Sequence, residues 1–213
     1  MASSIIHLGI TNELIKRHSF RDVDRLKLGV VLPDAVEDSA DSHFKIRLAD
    51  SGRRTYDLNR YRKLFGECMK NDDLYLGYYL HLIQDLKFRH FMYDTYRWNP
   101  YVPGNVDRLH RDYALSNFYV IKHYGLKKDL KVPEDIRQEP LYRQVQFQAE
   151  SQVKEIEESF APMEEEEPFF FTAAMADEFI DLAVSACIEE LEAMEKGQPG
   201  TDMYENAWET QKR

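Results

Sequence analysis

Two residues of one helical segment, His81 and Asp85, have the types and the spacing to bind a metal ion. Side chains four residues apart lie on the same face of an α-helix, with about 5–6 Å between their Cβ atoms. An imidazole and a carboxylate at that separation can hold one zinc ion, which accepts both at about 2.0–2.2 Å and needs at least one further protein ligand. The candidates for the additional ligands are His7, Asp34, His43 and His90.

The surroundings of this pair favour a metal site over a plain hydrogen bond, which is the common alternative for polar residues four apart. The segment is apolar, and a buried charge is costly unless it is paired or bound to a metal. Asp34 and His43 lie in polar turns after apolar segments, and His7 lies on a helix that must pack nearby. The sequence therefore predicts a metal site built from a small set of residues: His7, Asp34, His43, His81 and Asp85.

The elements that must position these residues are mostly helices, because apolar residues recur with a period near 3.6 through most of the chain. The sequence predicts an all-α, multi-helix bundle around the His-x-x-x-Asp helix, with at most one short strand or hairpin. The segment 73–96 is apolar on nearly every side, which is typical of a central helix. The other helices are predicted over residues 4–17, 57–69, 106–124, 141–160 and 172–196.

Two segments are predicted not to be helical. Residues 44–49 form the only plausible short strand. Residues 26–34 are expected to form a turn or a short extended segment that delivers Asp34, because Pro33 disfavours helix at Leu32.

Charge divides the 213-residue chain into two regions, although its formal net charge is −10. Residues 1–130 carry 21 basic and 17 acidic residues together with all seven histidines, whereas residues 131–213 carry 7 basic and 21 acidic residues. We therefore expect a metal-binding helical core over 1–130, acidic C-terminal helices over 131–200 packed on the same domain, and a frayed tail over 201–213. The run Glu164–Glu167 is predicted to be a solvated linker.

The composition also excludes several classes of protein. The acidic surplus after residue 130 argues against contact with nucleic acid or an anionic membrane through that region, since both are polyanions. No apolar run approaches the roughly 20 residues that span a bilayer. The N-terminus lacks the features of a secretory signal, so we expect a cytoplasmic protein. Cys68 and Cys187 are isolated and indicate neither a thiolate zinc site nor a disulfide framework.

The order of the candidate ligands resembles that of a known family. His7, Leu-Pro-Asp34, Ser-His43 and the segment Gly-Tyr-Tyr-Leu-His81-Leu-Ile-Gln-Asp85 resemble the bacterial zinc-dependent phospholipase C family, which is related to zinc-dependent single-strand nucleases. The resemblance covers about residues 1–125. It implies an all-α protein that binds a cluster of zinc ions through histidines and aspartates in this order, with one aspartate bridging two ions.

The resemblance also implies a role for each residue. His43, His81 and Asp85 would hold one metal, Asp85 and His7 would contribute to a neighbouring one, and Asp34 would act as a ligand or as the base for the attacking water. A further metal would need ligands among His90, Asp107 and His110. Ala114 stands four residues after His110 where the family has a glutamate, so we expect one or two zinc ions, with manganese or another divalent metal also possible.

The reaction implied is metal-dependent hydrolysis of a small-molecule phosphate ester, by a phosphodiesterase or a phospholipase C-like enzyme. A divalent ion lowers the pKa of its bound water from 15.7 to about 7 and neutralises a phosphoryl oxygen. Trp98 and Tyr101 are candidates for the substrate mouth. Basic residues flanking the ligands are candidates for binding phosphate oxygens: Lys45, Arg47, Lys87 and Arg89.

Two other interpretations remain open. The chain could be a helical scaffold or interaction protein that keeps the fold without turnover, with the acidic region as its partner surface. It could also be an HD-type phosphohydrolase, although those enzymes use an adjacent His-Asp pair and no His-Asp dipeptide occurs here. The oligomeric state and the specific substrate are not predicted by the sequence.

Overall fold

The computed structural model describes residues 2–163 and 166–209. Within them the chain is mostly helical with one two-stranded hairpin, as predicted. The α-helices are α1 (Ser4–Arg17), α2 (Val23–Val31), α3 (Ser39–Ser42), α4 (Leu58–Met69), α5 (Asp73–His90), α6 (Asn105–His123), α7 (Ala149–Glu158) and α8 (Ala173–Glu195). Short 3-10 helices cover Leu32–Asp34, Ile136–Gln138 and Pro140–Arg143, a π-helical turn covers Phe91–Thr95, and the strands are β1 (Lys45–Arg47) and β2 (Arg54–Tyr56).

Helix α5 is the centre of the molecule. Fifteen of its residues are buried, on all sides of the helix, because α2, α4 and α8 each pack against it. The Asp72 side chain caps its first turn by accepting a hydrogen bond from the Leu74 amide, and Arg25 of α2 donates to the same carboxylate. The apolar pattern of this segment therefore predicted its central place correctly, and the helix ends six residues earlier than expected, in the π-helical turn.

Helices α2 and α5 cross with their backbones in direct contact. A Cβ atom on Gly29 of α2 would lie 2.0 Å from the carbonyl oxygen of Leu74, and one on Gly77 of α5 would lie 2.2 Å from that of Leu26. Only glycine fits at both positions, because no side-chain atom can approach a backbone that closely. This crossing sets the distance between the end of α2 and the ligand-bearing face of α5.

The prediction for residues 26–34 was wrong. They continue α2 to Val31 and then form a 3-10 turn that ends at Asp34. Asp22 caps α2 by accepting from the Arg25 amide, and Pro33 occupies the first turn of the 3-10 helix, where a missing N–H costs nothing. Leu32 keeps right-handed helical angles in spite of the following proline.

The strand prediction was right, and its partner is β2. The two strands are antiparallel, with Lys45 opposite Tyr56 and Arg47 opposite Arg54. The helix predicted over 141–160 is interrupted instead: a 3-10 turn ends at Arg143 and α7 begins only at Ala149. Phe147 is buried between them, and the Gln148 amide donates to the Ala35 carbonyl, which holds this segment extended against the site region.

The C-terminal segment from Thr201 packs on the hairpin as far as it is described. Trp208 is 3% exposed, and its backbone exchanges two hydrogen bonds of 2.9 Å with Arg54. The prediction that residues 201–213 are frayed is therefore wrong for residues 201–209, because this segment packs a buried tryptophan on the hairpin. Residues 210–213 lie outside the described residues. Two residues of the predicted glutamate linker, Glu164 and Glu165, also lie outside them. None of the helices described is long and apolar enough to cross a bilayer.

Candidate metal centre

Five side chains from four segments meet beside the middle of α5. Helix α1 carries His7, the 3-10 turn after α2 carries Asp34, the residue after α3 is His43, and α5 carries His81 and Asp85. Four of the five have 0% exposure, and the Asp34 side chain is 11% exposed. Two overlapping groups of potential ligands result: His7 with Asp34 and His81, and His43 with His81 and Asp85.

The spacing of the ligand atoms matches a metal's first coordination sphere. The Nε2 atom of His43 lies 3.4 Å from Asp34 Oδ1 and 3.5 Å from Asp85 Oδ2. His7 Nε2 lies 3.6 Å from Asp85 Oδ1, and His81 Nε2 lies 3.9 Å from Asp34 Oδ1. In a tetrahedral zinc site with bonds of about 2.0–2.1 Å, neighbouring ligand atoms are roughly 3.3 Å apart. The residues present therefore fit a divalent ion.

Each histidine is fixed through its other ring nitrogen. His81 Nδ1 lies 2.8 Å from the Val30 carbonyl oxygen, and His43 Nδ1 lies 3.0 Å from that of Ser39. His7 Nδ1 lies 2.7 Å from Oε1 of Gln84. Because all three acceptors lack a proton, each Nδ1 is the donor, and each ring in its neutral form presents the Nε2 lone pair to the cluster. This arrangement is typical of metal-bound histidines.

The lone pairs on these nitrogens point at one another and at carboxylates. The Nε2 atoms of His43 and His81 are only 3.0 Å apart, and neither carries a hydrogen when its Nδ1 is the donor. His7 Nε2 and Asp34 Oδ1 are buried without any hydrogen-bond partner among the described residues. Buried polar atoms are nearly always paired. A cation among these atoms satisfies all of them at once.

Asp85 faces two of the histidines with different oxygens. Its Oδ1 is the oxygen near His7 and accepts from the Ala2 amide at 3.1 Å, whereas its Oδ2 is the oxygen near His43 and accepts from the Tyr56 hydroxyl at 3.1 Å. These two donors fix the plane of the carboxylate. The orientation suits a carboxylate that bridges two ions.

The electrostatics keep the ligands in the forms that bind metal. Burial and the nearby charge of His7 lower the pKa of His81 to about 3, so its imidazole is neutral. Burial alone would raise the pKa of Asp85, but the neighbouring His7 ring, 3.6 Å away, and the positive groups around it hold it well below its ordinary value. The pKa of Asp34 is lowered in the same way, by His81 and His43 against its burial. Both carboxylates are ionised at neutral pH.

Three residues considered for a further metal do not meet this cluster. His90 is exposed and pairs with Asp94 at 2.8 Å, because five residues after Asp85 the helix has turned away from the site. Asp107 and His110 are exposed on α6. None of the three belongs to either group of potential ligands among the described residues.

The four basic residues predicted to bind phosphate oxygens differ in their distance from the cluster and in their exposure. Lys45 is half-buried and donates to Ser39 Oγ at 2.6 Å. Arg89 is also half-buried and donates to the Tyr56 hydroxyl at 3.4 Å, and this hydroxyl in turn donates to Asp85. Arg47 is exposed and donates to the Gly52 carbonyl. Lys87 donates to Asn206 of the C-terminal segment.

The two aromatic candidates for the substrate mouth also differ. Trp98 is buried against Phe170, with ring centroids 4.6 Å apart. Tyr101 remains 43% exposed. Trp98 is therefore a packing residue in this structure, while nothing places Tyr101 at the cluster.

Sequence reasoning missed the groups that orient the ligands. Gln84 and Tyr56 were not considered, although a polar Gln84 directly before Asp85 on an otherwise apolar helix was a signal. The Val30 carbonyl could not be found from side-chain types at all. It reaches His81 only because Gly29 and Gly77 let the two helices touch.

Comparison with family profiles, with curated proteins and with solved structures finds no match for this chain.

Proposed function

We propose that the chain is a divalent-metal-dependent hydrolase of phosphate esters, similar to the zinc-dependent phospholipase C family. The observation that carries the proposal is the convergence of three lone-pair-bearing Nε2 atoms and two ionised carboxylates in a buried cluster. A buried cluster of this kind is costly to the fold unless an ion occupies it. We assign His7, Asp34, His43, His81 and Asp85 as metal ligands, with zinc as the preferred ion because nitrogen and carboxylate oxygen are its usual donors.

The ligands divide between two ions in this proposal. His43, His81 and Asp85 would hold one, while His7, Asp34 and Asp85 would hold the other. When bound, such ions supply an activated water and neutralise phosphoryl oxygens. The protein keeps His81 neutral and both aspartates ionised, whereas His7, whose pKa Asp85 raises against its burial, would release its proton on binding.

Asp34 is the residue through which the cluster meets solvent. Its side chain is 11% exposed while the other four ligands have 0% exposure. We therefore place the substrate on the Asp34 side and assign Asp34 the second role of base for the attacking water. Its carboxylate is ionised, because His81 and His43 lower its pKa against its burial, and so it has a free lone pair for the proton of the water.

Elemental analysis combined with an activity screen tests the proposal. Protein purified without chelator is expected to contain stoichiometric divalent metal, and to hydrolyse bis(p-nitrophenyl) phosphate or p-nitrophenyl phosphate when zinc or manganese is added. His81→Ala should lose most of the metal and at least 100-fold of the activity, because it removes a ligand of one ion whose Nε2 also lies within reach of the ligand atoms of the other.

His123→Ala is the matched control, because His123 is exposed and stacks on Tyr119, with ring centroids 5.1 Å apart, away from the cluster. It should keep both metal and activity. Metal-bound protein that hydrolyses no phosphate ester under any metal would favour the scaffold interpretation, and a His81→Ala variant with full metal content would refute the assigned site.

A further inference from the structure

Arg89 lies at the end of α5, beside the cluster, with no acidic partner among the described residues. Its Nε donates to the Tyr56 hydroxyl at 3.4 Å and its Nη1 donates to the Tyr93 hydroxyl at 3.0 Å. Both partners are neutral. No carboxylate contacts this half-buried guanidinium directly, because the Tyr56 hydroxyl separates it from Asp85, and so its donors have no charged acceptor. This position favours an anion from outside the chain.

Two aromatic rings hold the Arg89 guanidinium in place. Its carbon Cζ lies 5.5 Å from the ring centroid of Trp208 and 5.8 Å from that of Tyr93. The Trp208 ring also lies 5.0 Å from the Tyr56 ring, whose hydroxyl donates to Asp85. The C-terminal segment thus reaches the site and restricts the rotamers of Arg89 before any ligand binds.

A buried hydroxyl without a partner lies in the same neighbourhood. Tyr113 of α6 is 9% exposed, and its hydroxyl makes no hydrogen bond to the described residues. Its ring lies beside that of Phe88, the residue before Arg89, with ring centroids 6.2 Å apart, and burial raises the pKa of the phenol. The hydroxyl therefore remains a protonated donor. An anion bound at Arg89 would give it the acceptor that the protein does not supply.

Lys45 adds a second positive charge. It is half-buried and lies opposite Tyr56 across the hairpin, and Tyr56 is the residue whose hydroxyl accepts from Arg89. No carboxylate of the described residues forms an ion pair with either cation.

We propose that Arg89 and Tyr113 form a subsite that binds the phosphate group of the substrate next to the metal cluster, with Lys45 as a supporting charge and Trp208 as a positioning residue. Arginine suits this role because its planar fork donates two parallel hydrogen bonds to a phosphate. This inference rests on the proposed function and deepens it. It adds Tyr113 and Trp208, two residues outside the metal-binding segments, to the substrate site.

Binding of inorganic phosphate to the zinc-loaded protein, measured by calorimetry, tests the subsite directly. Arg89→Met should weaken phosphate binding about 10- to 100-fold with zinc content unchanged, because charge-assisted hydrogen bonds are lost. Trp208→Ala should weaken it several-fold, and Trp208→Phe should restore most of the affinity because it returns an aromatic face. With bis(p-nitrophenyl) phosphate these variants should raise KM more than they lower kcat.

Tyr113→Phe is the sharpest variant, because it removes only a hydroxyl that has no partner in the protein. It should weaken phosphate binding several-fold and leave the thermal midpoint unchanged or higher, since an unpaired buried hydroxyl destabilises the fold. Tyr142→Phe is its control: the Tyr142 hydroxyl is also buried without a partner among the described residues, and it lies in the Pro140–Arg143 turn. Arg60→Met, which removes an exposed cation over Phe44, is the control for Arg89.

The outcomes separate this inference from the proposed function. Phosphate affinity equal to wild type in both Arg89→Met and Tyr113→Phe overturns the subsite, even if ester hydrolysis is found. Phosphate binding that depends on these residues in a protein that hydrolyses no ester supports the subsite and overturns the proposed function. If Arg89→Met or Trp208→Ala loses zinc or fails to fold, the Tyr113→Phe result decides.

Discussion

At the scale of single residues, the groups that orient the ligands define the centre as much as the ligands do. Each histidine presents Nε2 to the cluster because a backbone carbonyl or an amide oxygen accepts from its Nδ1. Gln84 is the only side chain among these three acceptors, so it is the one that can be changed by mutation. Such outer partners tune metal affinity by raising ligand basicity and fixing the ring.

Gln84→Leu should lower the metal affinity of the protein about 10- to 100-fold, because His7 loses the acceptor that fixes its ring and tautomer. Competition with a chromogenic zinc chelator measures the change. Gln146→Leu is the control, since Gln146 is exposed and donates to the Tyr142 carbonyl away from the cluster. Equal zinc affinity in the two variants would contradict a positioning role for Gln84.

The residue scale is also where sequence reasoning went furthest. The types and spacing of His81 and Asp85 identified one face of α5, and the three segments expected to supply further ligands do meet that face. The orientation of each ring could not be predicted, because it depends on carbonyl groups of packed helices. The role of Arg89 as a neighbour of Tyr56 and Trp208 likewise depends on contacts between distant segments.

At the scale of elements, the contact between α2 and α5 controls the site. The glycines at 29 and 77 let the backbones touch, and the Val30 carbonyl next to Gly29 is the acceptor that fixes His81. The apolar periodicity predicted that α5 is central, but it could not predict this close crossing. The wrong prediction for residues 26–34 has the same cause. Pro33 disfavours helix at Leu32 in an isolated chain, but the packing of α2 on α5 keeps Leu32 helical.

Gly29→Ala should destabilise the protein by about 3 kcal/mol or more, because the new Cβ meets a backbone oxygen that no rotamer can avoid. It should also lower metal content by shifting Val30 away from His81. Urea unfolding and elemental analysis provide the two measurements.

Gly66→Ala is the control within α4, since a Cβ at Gly66 meets nothing within 4 Å. It should stabilise the protein by about 0.5–1 kcal/mol, as alanine does at an open helical position. If Gly29→Ala were as stable as wild type, the helices would not be in the contact described.

At the scale of the whole molecule, the centre joins four segments that also contact one another through packing and hydrogen bonds. The ligands come from α1, the 3-10 turn, the end of α3 and α5, while the C-terminal segment closes the side carrying Arg89. The two proposed ions, which share Asp85, would together link the native positions of all four. Because the unfolded chain does not bring these residues together, the binding free energy is added to the stability of the fold.

Zinc at 100 times its dissociation constant should therefore stabilise the fold by about 2.7 kcal/mol. In a chain of this size that corresponds to a rise of about 5–10 °C in the thermal midpoint. Thermal unfolding with zinc and with a chelator measures it, and the His81→Ala variant should show almost none of the rise. A chelator that leaves the wild-type midpoint unchanged would contradict a metal ion shared by these segments.

The burial of the ligands also affects the rate at which a bound metal ion leaves the protein. Four of the five ligands have no contact with solvent, and only the Asp34 side chain is partly exposed. An ion can then leave only past Asp34, or when α1 or the hairpin opens. We expect a slow off-rate that reflects opening of the protein more than the strength of the metal–ligand bonds, so a chelator should strip the metal at a rate independent of its own concentration.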